Sequence, residues 1–205
     1  MNKIIKDTLI LMAITLVSGL LLGMVYEVTK EPIRKQEEEQ KVEACQNVFS
    51  DAASFEQIEE IETMAQTSLT NVGMEGKAQI DEALKALDEE GNTIGVVMQI
   101  TSKEGYGGDI QFTMGVQNDG TVNGISILSI SETAGLGMRA TTEEFKSQFA
   151  GKNVDTFVYT KSGATQENEI DALSGATVTT NAVTDGVNVG LSFFRTLSEG
   201  GILNE

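Results

Sequence analysis

Apolar positions along this chain follow three different patterns. Residues 8–26 carry no charge and are mostly Leu, Ile, Val, Met, Ala and Gly. As a helix, this segment is about 28 Å long, close to the roughly 30 Å hydrocarbon core of a bilayer. A signal peptide is the competing reading, but its apolar stretch is shorter and ends at a small-x-small site. Tyr26-Glu27-Val28-Thr29-Lys30 offers no such site, so the pattern predicts an uncleaved membrane anchor. Gly19 and Gly23 make a small-xxx-small pair able to pack on another membrane helix, although glycine is also simply frequent in such helices.

The second pattern is charged and helical. Residues 31–49 are rich in helix formers, with Pro32 near the start, where a missing N–H is tolerated. Ile33, Val42, Cys45, Val48 and Phe49 are irregularly spaced, which predicts a helical stalk with a partly buried end. Glu37-Glu38-Glu39 reads as a solvated face. Phe55, Ile58, Ile61, Met64 and Ala65 predict a second short helix. Asn71-Val72-Gly73 breaks it. The resulting division is an anchor over 1–29, a stalk over 30–72 and a compact domain over 73–205.

The third pattern is mainly that of strands. Residues 79–88 read two ways: Ile80, Ala83, Leu84 and Leu87 fit a helix, whereas Asp88-Glu89-Glu90-Gly91-Asn92 looks like a turn before a strong strand at 93–101. Residues 110–116 and 121–130 alternate in part, and Asn118-Asp119-Gly120 between them is a hairpin signal. A short helix is expected at 143–150 and a strand at 156–159. Residues 178–197 place Val178, Ala182, Val183, Val187, Leu191 and Phe194 on one face of a helix of about five turns. The sum is an α+β fold: a single N-terminal transmembrane helix, a helical stalk, then an antiparallel or mixed sheet with packed helices.

Composition narrows the chemistry. The chain has 205 residues and a net charge of −17; residues 1–30 contribute +1, leaving −18 on the rest. That balance argues against nucleic acid as a partner and against docking on anionic lipid. There is no histidine, which excludes a Ser-His-Asp triad, histidine-bound zinc and an axial histidine for haem. One cysteine, Cys45, can build neither an iron–sulfur cluster nor an internal disulfide; it is expected to pack as a small apolar residue. An organic cofactor is the remaining route to redox work.

Three segments suit such a cofactor. Asp171-Ala172-Leu173-Ser174-Gly175-Ala176-Thr177 opens the last helix. Helix N-termini offer unpaired N–H donors and a partial positive charge, which favour phosphate. Gly175 and Ala176 allow close approach, while Ser174 and Thr177 are expected to cap the helix. Gly105-Tyr106-Gly107-Gly108 joins two strands, and Glu132-Thr133-Ala134-Gly135-Leu136-Gly137 follows another. From turn chemistry alone each reads first as a tight turn; the competing reading is backbone approach to a ring system, with Tyr106 and Leu136 near its faces and Glu132 and Thr133 bonding its edge.

The pattern Asp-x-x-Ser/Thr-Gly-Ala-Thr resembles the flavinylation signature of the FMN-binding domain family over all seven positions. A single span, Gly-Tyr-Gly-Gly, Glu-Thr-x-Gly-Leu-Gly and Ser-Gly-Ala-Thr, in this order, are similar to the G subunits of Rnf electron transport complexes. The related C subunit of the sodium-pumping NADH:quinone reductase shares the plan. The resemblance covers about residues 1–200 and is weakest over 30–75. Ala134 departs from the family's usual proline and removes no functional group.

The resemblance implies that residues 79–87 form a strand, that FMN is joined to Thr177 by a phosphoester, and that Asp171, Ser174, Gly175 and Ala176 form the recognition motif. Glu132, Thr133, Gly135, Leu136 and Gly137 would line the flavin. It implies other Rnf subunits as partners, a flavin transferase using FAD and Mg²⁺ for maturation, and ion translocation in the membrane. Counting Lys and Arg around the span mildly favours a cytoplasmic C-terminal part; the resemblance implies the opposite side. There, no flavin pool is maintained, and FMN held with a Kd on the order of 1 μM would be lost by dilution. The alternatives are a quinone-reductase C-type subunit and an anchored noncatalytic binding module.

Overall fold

The computed structural model describes residues 2–204. Two compact units emerge, Met1–Gln40 and Lys41–Glu205.

Most of the first unit belongs to α1, Asn2–Val48. The segment has a stretch of mean hydropathy 2.4 that is long enough to cross a bilayer. Residues 3–28 are exposed throughout, and a helix that is apolar on all sides needs lipid around it. Pro32 lies inside this helix rather than at the start of a separate one. It forgoes one backbone hydrogen bond there. The anchor and the part of the expected stalk up to Val48 are one continuous element, whereas residues 49–72 carry a strand and a helix of the second unit.

In the second unit the chain runs β1 (Ser54–Gln57), α2 (Glu62–Asn71), β2 (Ala78–Leu87), β3 (Thr93–Ser102), β4 (Ile110–Gln117), β5 (Val122–Ser129), a 3-10 turn (Gly137–Thr141), α3 (Glu143–Lys146), β6 (Val158–Thr160), β7 (Glu169–Asp171) and α4 (Thr177–Glu199). Strands β1 to β5 form one antiparallel meander in sequence order. The only parallel pairing among the described residues, β6 with β7, is a sheet of its own.

Residues 79–87 are therefore strand, as the resemblance implied, and the Asn118-Asp119-Gly120 turn joins β4 to β5 with Gly120 at φ +89°. The helix expected from Phe55 onward is corrected. Phe55 pairs with Ala86 in β1, and helix begins only at Glu62. A free strand edge on β2 outweighs a helical spacing at its first positions, Phe55 and Ile58.

Helix α4 lies on one face of the meander, over Val96, Met98 and Ile100 of β3 and Phe112 and Met114 of β4. Two glycines let it approach. A Cβ on Gly186 would stand 2.9 Å from the Phe112 ring, and one on Gly190 would stand 2.6 Å from Met114 Sδ and 2.8 Å from Ile100 Cδ1. Gly190→Val should overpack this contact and cost about 1–3 kcal/mol, read as a lower urea midpoint by circular dichroism of the full chain in detergent; an unchanged midpoint would contradict this packing.

On the opposite face, Cys45, Val48 and Phe49 cover Ala86 and Val97. Cys45 is free and buried, and burial, reinforced by Glu82 and opposed by Lys41, pushes its thiol up to about 11. It is a packing residue, as its isolation in the sequence suggested.

Candidate cofactor site

The site assembles at the start of α4. Ala176-N donates to Leu173-O at 2.9 Å, closing a turn that places Gly175 at φ +76°, a conformation glycine adopts without strain. A Cβ there would also press on Leu136 Cδ2 at 3.0 Å.

The capping expected of Ser174 and Thr177 is absent. Ala176 occupies the cap position without a side-chain bond, and Thr177 is the first helical residue. Thr180 does the work from inside the helix. Its buried hydroxyl accepts from Leu173-N at 3.0 Å and donates to Ala176-O at 3.0 Å. Among the described residues, this arrangement leaves the Thr177 hydroxyl without a hydrogen-bond partner and the first N–H groups of a 23-residue helix without side-chain acceptors. Such groups suit an anion.

Two loops face this turn. The β3–β4 loop carries Tyr106, 76% exposed. The segment after β5 carries Glu132, whose Oε1 accepts from Tyr106-N at 2.8 Å and Gly107-N at 3.3 Å. That carboxylate clamps the loops together. Gly107 makes the contact possible, since a Cβ on it would fall 2.0 Å from Ser131-O. Thr133-O accepts from Leu136-N and Met138-N, with Gly135 at φ +76° between them.

Between these elements lies a cavity of about 640 Å³, within the size range of small-molecule and cofactor sites. Its wall takes Gly175, Ala176 and Thr177 from the motif, Tyr106 from one loop, and Glu132, Thr133, Leu136 and Gly137 from the other. Three expected residues stand outside that wall. Gly135 and Ser174 are exposed turn residues. Asp171 ends β7, accepting from Ala164-N at 2.6 Å while its own N–H donates to Gln148 Oε1.

Val178 and Thr179 also line the cavity, and the sequence reading does not include them. Helical spacing puts Val178 on the buried face of α4; it is instead 49% exposed and lines the cavity. The signal available in the sequence is position alone: both residues follow the motif directly, in the turn that a phosphate would meet.

The residues present fit an FMN. Tyr106, Leu136 and Val178 expose apolar surface at the cavity, where a planar ring would cover it. A Cβ on Gly137 would meet Glu132 Oε2 and Thr179 Oγ1, each at 2.6 Å, and Glu132 Cβ at 2.7 Å, so glycine lets these two side chains close in beside it at the cavity wall.

Residues 105–192 match the FMN-binding domain family, and residues 1–48 match the RnfG N-terminal region. The chain is 32% identical to the G subunit of the Na⁺-translocating ferredoxin:NAD⁺ oxidoreductase complex of Acetobacterium woodii, covering 96% of this chain and 94% of the relative. It is 30% identical to the G subunit of the ion-translocating oxidoreductase complex of Methanosarcina acetivorans, over 94% and 95% of the two chains. It is also 30% identical to the G subunit of the proton-translocating ferredoxin:NAD⁺ oxidoreductase complex of Clostridium ljungdahlii, over 97% and 96%. The crystal structure of the C subunit of the Na⁺-translocating NADH-quinone reductase from Parabacteroides distasonis superposes with a TM-score of 0.52 at 17% identity, over 79% of this chain and 94% of that one, and shares the fold.

Proposed function

We propose that this chain, which belongs to the family of G subunits of ion-translocating oxidoreductase complexes, carries FMN esterified to Thr177 and relays electrons between partner subunits of an Rnf complex. The observation that carries the reading is the free Thr177 hydroxyl at an uncapped helix start, opening on the flavin-sized cavity. The resemblance of the 171–177 motif to the flavinylation signature supports it.

FMN, when bound, supplies a centre that takes up and releases electrons. The chain's own contributions are positional. The N–H groups at the start of α4 receive the phosphate and offset its charge. Leu136, Val178 and Tyr106 exclude water from the ring. The membrane anchor over 1–29 keeps the flavin near its partners, the helix beyond it connects to the compact unit that begins at Lys41, and residues 73–205 supply the flavin-binding part. The subunit performs no turnover alone, since it has a cavity for a redox centre and no separate substrate site is needed for a relay.

A flavin transferase installs the group. The bond formed is Thr177 Oγ1 to phosphorus, and the bond broken is the pyrophosphate linkage of FAD; AMP leaves, and the hydroxyl proton passes to a base on the transferase. Asp171, Ser174, Gly175 and Ala176 present the threonine to that enzyme. The domain faces away from the cytoplasm, where a covalent link prevents loss of FMN by dilution.

Co-expression of the full chain with a flavin transferase, followed by denaturing gel electrophoresis under ultraviolet light, tests the reading. A fluorescent band is expected. A dark band, with the transferase shown active on another acceptor, would leave an anchored binding module as the better description.

A further inference from the structure

Two polar atoms beside the cavity have no hydrogen-bond partner among the described residues. Thr179 is 1% exposed and lines the cavity. The other buried hydroxyls of α4 are bonded: Thr180 to Ala176-O, Thr184 to Thr180-O and Ser192 to Ser68-O. That of Thr179 has no partner among the described residues. Glu132 spends Oε1 on Tyr106-N and Gly107-N and leaves Oε2 free. These two atoms flank Gly137, each 2.6 Å from where a Cβ would stand, and all three residues line the same stretch of cavity wall.

The chemistry of the pair selects what enters. A carboxylate oxygen only accepts hydrogen bonds, whereas a hydroxyl can also donate. A phosphate would be repelled by the carboxylate, so this stretch of wall is not its place. An N–H beside a C=O matches it, which is the pattern on the imide edge of a flavin ring.

We propose that Thr179 and Glu132 together hold the imide edge of the flavin. The ring N–H donates to Glu132 Oε2, and the Thr179 hydroxyl donates to the adjacent carbonyl. This assignment rests on FMN occupying the cavity. It adds Thr179 to the flavin-binding residues and separates the two ends of the cofactor, with phosphate at Thr177 and ring edge over Gly137. It also gives the two residues opposite effects on the flavin. Reduction adds negative charge to the ring carbonyls. A donor from Thr179 stabilises that charge, and the Glu132 carboxylate opposes it.

The test is a spectroelectrochemical titration of the flavin-loaded full chain in detergent, with Thr179→Val, Thr179→Ser and Glu132→Gln alongside. The Glu132→Gln side chain keeps an oxygen to accept from Tyr106-N and Gly107-N. At a fixed redox poise, Thr179→Val should lower the reduced-to-oxidised ratio about fivefold, the worth of one hydrogen bond. Thr179→Ser should titrate with the unsubstituted protein, and Glu132→Gln should shift the ratio the other way. Loaded Thr179→Val and Glu132→Gln variants that titrate with the unsubstituted protein, or shift in the same direction, would overturn the proposal. A flavin-free unsubstituted protein would instead overturn the covalent reading beneath it, so the two failures are distinct.

Discussion

Thr177→Ala abolishes flavin fluorescence in the denatured protein and stops electron passage through the assembled complex, while the domain keeps its fold. Both halves of this expectation follow from the start of α4. The Thr177 side chain is uncommitted there, because the cap position belongs to Ala176 and carries no side-chain bond. The local structure is held by the Thr180 hydroxyl, bonded to Leu173-N and Ala176-O. Removing the Thr177 hydroxyl therefore leaves no buried partner orphaned, and stability should change by no more than about 0.5 kcal/mol. Thr177→Ser keeps the attachment atom and should retain part of the fluorescence. Gel fluorescence and the urea midpoint, measured on the same preparations, check both halves. A fluorescent Thr177→Ala protein would remove Thr177 as the attachment point; a collapsed midpoint would show that its hydroxyl supports the fold.

The second large effect is expected at Gly107. A methyl group there would stand 2.0 Å from Ser131-O and 3.3 Å from Glu132 Cα, and backbone cannot swing away as a side chain can. Gly107→Ala must push the β3–β4 loop from the 131–137 segment. That move breaks the bonds from Tyr106-N and Gly107-N to Glu132 Oε1, both to an ionised acceptor. A loss of about 2 kcal/mol is expected. The covalent band should persist, since Thr177 and its turn are untouched, but the ring should become accessible to an aqueous quencher such as iodide. Unchanged urea midpoint and unchanged quenching would contradict the clamp.

What could be read from the sequence depended on how local its cause is. The anchor was legible because lipid imposes a long uncharged run. The β4–β5 hairpin was legible because Gly120 must adopt φ +89°. Most of α4 was legible because Val183, Val187, Leu191 and Phe194 face one core. The strand β1 was not, since Phe55 owes its conformation to Ala86, far along the chain. Nor was β7, three residues long and defined only by its parallel partner β6.

The cavity was legible in most of its lining, because glycine loops and a helix start have local signatures. Its internal wiring was not. Nothing in the spacing says that Thr180, rather than Ser174 or Thr177, secures the turn, or that Glu132 turns one oxygen to the neighbouring loop. Those facts come from elements meeting in space, and they are what leave Thr177 and Thr179 free.

The central claim is a phosphoester between FMN and Thr177. Trypsin cleaves after Lys161 and Arg195 and releases residues 162–195 as one peptide. Fragmentation mass spectrometry of that peptide, from chain matured with its flavin transferase, is the direct measurement. An added FMN phosphoryl mass is expected on every fragment containing Thr177 and on none lacking it. An unmodified peptide, or the same mass placed on Ser174 or Thr179, would contradict it.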